Sequence, residues 1–259
     1  MMGRLAGKIA VVTGGGSGIG REICRQFAEE GCAALAIFDI NVAGADETRH
    51  LIGEGGTKVF TYAVDVGSLS QVQHAVDQFV EGCGAAPDIL VNNVGWDLPA
   101  LFIETTPDFW DKLIHVNFKG VLNTCWVILK LMVAKGQGGR IINVASDAGR
   151  LGAGHEAVYS GCKGGVITFT KSLAREHSRH NILCNTVSPG STNTAGYRNV
   201  KFKTDDPDKF EEKMVRQTPL RRLGEPEECA KVVTFLATED ASFVQGQTIS
   251  VSGGLTMVG

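Results

Sequence analysis

Residues 8–20 read KIAVVTGGGSGIG, an apolar run that breaks into five glycines within seven positions. The helical pattern GREICRQFAEEG begins at Gly20. A strand that turns into a helix over so short a distance needs residues without Cβ. Such a turn lets backbone N–H groups approach a diphosphate, and the helix start adds partial positive charge. Gly14, Gly18 and Gly20 mark the turn, with Ser17 and Ile19 between them. The alternative is a flexible glycine loop that binds nothing. Strand, turn and helix at the first βα junction is the context that dinucleotide binding requires.

The same rhythm runs down the chain. Apolar runs at 8–14, 33–40, 58–66, 87–95, 139–146, 181–190 and 246–254 alternate with helical patterns. These runs are rich in Val and Ile, and several lack polar alternation, as in strands buried on both faces of a parallel sheet. The expected fold is α/β: a single Rossmann-type, doubly wound domain over 1–259, with a parallel seven-stranded sheet and helices on both faces. Its ligand belongs at the carboxyl ends of the strands. Residues 191–224 break the rhythm with a long polar stretch, read either as a lid or as a surface excursion with a small helix near PDKFEEKMVR.

The 259 residues, 43% of them hydrophobic, suffice for one sizeable core. A formal charge of −3 with scattered Lys and Arg gives no electrostatic reason to expect nucleic acid or an anionic membrane. Seven singly placed cysteines, without a Cys-x-x-Cys or Cys/His cluster, point to reduced thiols in a cytoplasmic protein and no metal site. The N-terminus shows no signal-peptide pattern. The apolar stretch 121–133 reads as a helix too short to span a membrane. It is buried on more than one side, by the domain itself or by another subunit.

Asp39 closes the second apolar run, about 20 residues past the turn, where a carboxylate can accept from both adenosine ribose hydroxyls. It would repel a 2′-phosphate, which favours NAD over NADP.

These motifs together resemble the short-chain dehydrogenase/reductase family, over essentially the whole chain. TGGGSGIG is similar to the family's glycine turn, and Asp65–Val66 to its segment beside the adenine ring. NNVG, from Asn92 to Gly95, is similar to Asn-Asn-Ala-Gly with Val94 in place of alanine. SPGSTNT carries Pro189, Gly190, Thr192 and Thr194 at the nicotinamide end.

Asn117, Ser146, Tyr159 and Lys163 match the catalytic tetrad. The resemblance implies hydride transfer between a secondary alcohol and NAD. Tyr159 would be the general base in oxidation and the general acid in reduction. Lys163, one helical turn on, would lower the phenol pKa and hold the nicotinamide ribose. Ser146 would bind the substrate oxygen, and Asn117 would hold a water linking Lys163 to solvent. The family is usually tetrameric or dimeric. Cys162, beside the pair, reads as packing.

The segments 96–100, 147–156 and 191–217 should line the substrate pocket. Trp96 and Phe102 offer apolar area there, or simply pack their loop. NNVGWD, SDAGRLGAGHEAVYSGCKGG and SVSGGLTMVG resemble a group within the family, the 2-hydroxycyclohexanecarboxyl-CoA dehydrogenases. That resemblance implies a cyclic or β-hydroxyacyl coenzyme A thioester. A free secondary alcohol, a sugar or a 3-oxoacyl carrier substrate is the alternative, and a cofactor-binding regulatory protein is the non-enzyme one. Arg150, Arg198, Lys201 and Lys203 would meet coenzyme A phosphates, or form a solvated basic face.

Overall fold

The computed structural model describes residues 3–202 and 206–258. Seven strands form one parallel sheet: β1 (Ile9–Thr13), β2 (Ala34–Asp39), β3 (Lys58–Ala63), β4 (Ile89–Asn92), β5 (Gly139–Val144), β6 (Ile182–Pro189) and β7 (Thr248–Val251). All seven fall inside the apolar runs read from the sequence. Their spatial order is β3-β2-β1-β4-β5-β6-β7. The order reverses between β1 and β4, which opens a crevice at the carboxyl ends of those two strands.

Along β1, Ala10 and Val12 face one side of the sheet and Val11 the other, the period of two that a strand imposes. Two apolar cores result. The helices α1 (Gly18–Glu29), α2 (Val42–Ile52), α3 (Leu69–Cys83), α4 (Pro107–Ile114) and α5 (Gly120–Lys135) are followed by α6 (Ala148–Leu151) and α7 (Ala157–His177). After β6 come α8 (Ala195–Lys201), α9 (Pro207–Gln217) and α10 (Pro226–Ala237). Phe27 from α1 and Val233 and Leu236 from α10 fill one core. Phe79 from α3, Ile128 from α5 and Val166 from α7 fill the other. Each such fully buried side chain contributes roughly 1.5–3 kcal/mol.

The apolar helix differs from its expected extent. A wide turn at His115–Lys119 joins α4 to α5, so Pro107–Lys135 runs as one helical path of 29 residues. By length and composition that path could cross a membrane, unlike the short helix expected; 56% of its most apolar window is buried inside the protein. Its inner face packs on α3, β4 and β5. The wide turn is a π-type insertion, a device that re-aims side chains within a helix and concentrates at functional sites. Asn117 sits at its centre.

The polar excursion carries two helices where one was expected. Its α9 coincides with the PDKFEEKMVR pattern, capped by Asp206, which accepts from the Lys209 N–H at 3.1 Å. Lys203 lies outside the described residues.

Candidate active site

The glycine turn fills the crevice floor. Gly14 and Gly18 hold φ of +67° and +52°, a region that disfavours side chains. Gly20 is needed for a different reason: a Cβ there would collide with the Gly14 carbonyl and lie 2.6 Å from Asn93 Nδ2. Ser17 caps α1 with extended backbone, and its hydroxyl makes no capping hydrogen bond. The first N–H groups of α1 thus lack a side-chain cap, and a helix start favours an anion. Ile19 turns inward onto the α1 core. Thr194 from the far loop closes over the turn, its methyl 3.3 Å from where a Gly18 Cβ would stand.

Asp39 is fixed at the turn's edge. Its carboxylate accepts from the Gly16 N–H at 2.9 Å and the Asn41 N–H at 2.8 Å. A Cβ on Gly16 would stand 2.8 Å from that carboxylate, so a bulky basic residue cannot replace this glycine without moving Asp39. Arg21 lies nearby, donating to the Gly16 carbonyl at 2.6 Å and to Glu47 at 2.6 Å. On the next strand end, burial pushes the Asp65 carboxyl up. Hydrogen bonds from His115 Nε2 at 2.9 Å and from the Gly67 N–H outweigh that and hold it below its ordinary value. Val66 is buried, and its carbonyl accepts from Asn123.

Asn92 departs from its expected role against the cofactor. It is 3% exposed, donates to Asn143 Oδ1 at 2.8 Å and accepts from Thr124 Oγ1 at 2.6 Å. Asn143 in turn donates to Thr170 at 2.8 Å. The side chain is a buried strut that ties β4 and β5 to α5 and α7. Gly95, at the end of the same segment, is exposed in the crevice.

The tetrad converges. Ser146 lies just past β5, and Tyr159 and Lys163 share one face of α7. Asn117 Nδ2 donates to the Trp96 carbonyl at 2.7 Å and to the Leu113 carbonyl at 3.0 Å. Its Oδ1 accepts from the Trp96 N–H at 3.0 Å. A Cβ on Gly95 would meet Asn117 Oδ1 and Lys163 Nζ, both at 3.4 Å, so those two atoms flank one point. Lys163 is 2% exposed and donates to the Val144 carbonyl at 3.0 Å. Burial pulls its ammonium down to about 8.

Burial outweighs the lowering expected of Lys163, and the Tyr159 phenol stands above its ordinary value. Burial pushes the phenol up, the hydrogen bond with Ser146 opposes it, and the charges of Asp97 and Glu156 push it further up. Lys163 Nζ sits 5.7 Å from the ring centre, and burial weakens the very charge expected to lower the phenol. Burial also raises the Cys162 thiol, in keeping with packing.

Pro189 ends β6, and Gly190 follows it. The Pro189 carbonyl accepts from Asp147 N–H at 3.0 Å, and a Gly190 Cβ would stand 2.8 Å from that of Ser252. Thr192 is buried and donates to the Gly190 carbonyl at 3.0 Å, bracing the loop that carries Thr194.

A cleft with about 210 Å³ of open space leads to Tyr159. It is lined by Phe102, Phe109, Leu98 and Leu113, and also by Asp97, His155 and Glu156. Phe102 thus faces the cleft, stacked on Trp110, whereas Trp96 packs edge-on against Phe109 beneath Lys112. The sequence raised Glu156, with His155, as a residue that could face the substrate, but it did not pair Glu156 with Asp97, 59 positions earlier. The expected phosphate-binding cluster is not assembled. Arg150 donates to Ser250 and to the Val258 carbonyl, Arg198 to Asn193, and Lys201 to Glu211 at 2.8 Å. Among the described residues of that cluster, each cation is committed to its own neighbour.

A family model described as "Enoyl-(Acyl carrier protein) reductase" matches residues 14–256. The chain belongs to the short-chain dehydrogenase/reductase family. It is an oxidoreductase. A (3R)-3-hydroxyacyl-CoA dehydrogenase from Canis lupus familiaris is 36% identical over 262 residues, covering 98% of each chain. A 3-oxoacyl-[acyl-carrier-protein] reductase from Thermotoga maritima is 36% identical over 255 residues, covering 98% of this chain and all of the other. Among solved structures, a levodione reductase superposes with a TM-score of 0.92 at 31% identity, over 96% of this chain and 98% of that one. A 3-ketoacyl-(acyl-carrier-protein) reductase from Brucella melitensis, complexed with NADH, superposes with a TM-score of 0.88 at 29% identity, over 98% of this chain and all of the other.

Proposed function

We propose that this enzyme interconverts a secondary alcohol and a ketone with NAD(H), on a β-hydroxyacyl or cyclic hydroxyacyl thioester. The observation that carries the reading is the hydrogen bond between Ser146 and Tyr159, with Lys163 one turn on along the same helix, where Tyr159 lines a partly open cleft. The residues present fit the dinucleotide. Gly14 and Gly18, at positive φ, and the tightly packed Gly20 shape the turn at the start of α1 that would meet a diphosphate, and Asp39 at the turn's edge would meet a ribose. When bound, NAD supplies the hydride acceptor, and NADH the donor.

The chain's own residues handle the proton and the oxygen. Ser146 donates to the substrate oxygen as charge grows on it. Tyr159, held protonated by its burial, is set to give its proton to that oxygen in reduction. Lys163 faces the phenolate that remains and stabilises it by charge. In oxidation the same steps run backward. Asn117, pinned by Trp96, fixes the floor beside Lys163.

Asp39 opposes a 2′-phosphate by charge. The thioester is supported by the hydroxyacyl-CoA dehydrogenase likeness. A carrier-bound 3-oxoacyl substrate is the second reading, favoured by the likeness to two carrier-protein reductases. Because the solved one carries NADH, cofactor choice does not separate the two. The test is Tyr159→Phe. It should bind NADH within about twofold of wild type and lose at least ~1,000-fold in kcat, within the range that general acid–base catalysis supplies. Near-normal turnover would overturn the assignment.

A further inference from the structure

The cleft in front of Tyr159 carries two carboxylates that the tetrad chemistry does not use. Asp97 follows the β4 loop and Glu156 stands one residue before α7, and both line the cleft that ends at Tyr159. Their loops are tied together by the Ala100 N–H donating to the His155 carbonyl at 2.8 Å. His155 holds a φ of +68°, so the chain turns sharply to present Glu156. Both side chains are half-buried, and among the described residues no cation lies within ion-pair distance of either. Lys112 is spent over the Trp96 ring, and Lys163 lies behind Tyr159 on the Val144 carbonyl. The imidazole of His155 lines the same cleft. Two acids so placed act on each other: burial and the neighbouring Glu156 raise the Asp97 carboxyl to about 7, and burial raises Glu156.

We infer that Asp97 and Glu156 form an acidic wall that refuses a free carboxylate at the reacting end of the substrate and admits the same acid once it is a neutral ester or thioester. A third negative charge in a half-buried cleft would meet two like charges with no counter-ion, and such repulsion gives specificity by exclusion. The wall also offers acceptors to any hydroxyl or amide donor that an esterified substrate carries. The inference deepens the thioester reading given above and rests on it for the choice of acyl group. The wall itself concerns only charge, so the two can fail separately.

The test uses the protein–NADH complex at pH 8 and two matched probe pairs: acetoacetate with methyl acetoacetate, and 2-oxocyclohexanecarboxylate with its ethyl ester. Binding is read by fluorescence quenching, whether or not the probe turns over. Wild type should bind each ester at least ~30-fold more tightly than its acid. The D97N/E156Q double variant should narrow that ratio to under ~5-fold, mainly through tighter binding of the acid. E156Q alone should fall between, and thermal unfolding confirms that the variants are folded. Equal binding of acid and ester by wild type, or an unchanged ratio in both variants, would overturn the wall. Separately, S-acetoacetyl-N-acetylcysteamine is offered as a reducible thioester. If it is not turned over while the ester preference stands, the thioester reading falls and the wall survives.

Discussion

The two sides of the crevice are built by opposite rules. On the turn side, atoms leave no slack: Gly20 faces the Gly14 carbonyl, Gly16 faces Asp39, and Asp39 is bound by two backbone N–H groups. On the cleft side, Phe102 is half exposed, His155 sits at positive φ, and two carboxylates have no ion-pair partner among the described residues. The turn side tolerates one ligand geometry, set by backbone. The cleft side is a wall of exchangeable side chains on loops, which is where specificity is changed without disturbing a fold.

The strongest way to break this contrast is Gly20→Ala. The added methyl has no room beside Gly14 and Asn93, so NADH binding should drop by more than ~100-fold, and stability by ~1–3 kcal/mol or more. Isothermal titration and denaturant unfolding read both; a methyl absorbed without loss would show that the turn is not rigid.

Lys163 links the two sides, and its effect has a defined sign. Its folded pKa, about 8, is below its ordinary value of 10.5. The unfolded chain therefore binds more protons between those pH values, and stability rises with pH there. Relative to Lys163→Met, wild type should gain about 3 kcal/mol as pH rises from 8 towards 10.5, with the penalty fully present below 8. Activity runs the other way: kcat/KM for ketone reduction should fall about tenfold per pH unit above about 8, as the charge that stabilises the phenolate is lost. A flat profile to pH 10 would remove Lys163 from the proton step.

Smaller effects sharpen the boundary between the sides. Asp39→Asn keeps an acceptor for the Gly16 N–H but removes the charge, so the NADH-to-NADPH affinity ratio should fall by ~10-fold. Asn92→Leu should cost ~1–3 kcal/mol by unpairing Thr124 and Asn143, with NADH affinity unchanged within about twofold. A selective loss of NADH affinity would return Asn92 to the cofactor site.

What the sequence revealed follows the same division. The seven strands, the glycine turn, Asp39 and the tetrad positions are legible because each depends on neighbours within a few residues, or on a motif whose spacing the fold repeats. Asn92 misled because a motif position does not show where a side chain points; the Thr124–Asn92–Asn143–Thr170 chain joins four elements distant in sequence. The π-type turn at 115–119 has no composition signal, and it joins the expected helix at 121–133 to a preceding one that the pattern did not show. Arg150 promised a phosphate contact until the fold placed Val258, 108 positions on, within its reach. The Tyr159–Lys163 spacing was plain, but the balance of burial against charge was not, since burial is a property of the packed molecule.

The central claim is that NAD-linked alcohol–ketone chemistry on an esterified acyl group occurs at Tyr159. The most direct measurement is kcat/KM for S-acetoacetyl-N-acetylcysteamine with NADH and with NADPH, in wild type and Tyr159→Phe. The account predicts turnover at least ~10-fold better with NADH, and near-complete loss in the variant with NADH still bound. A preference for NADPH, or a variant as active as wild type, would contradict it.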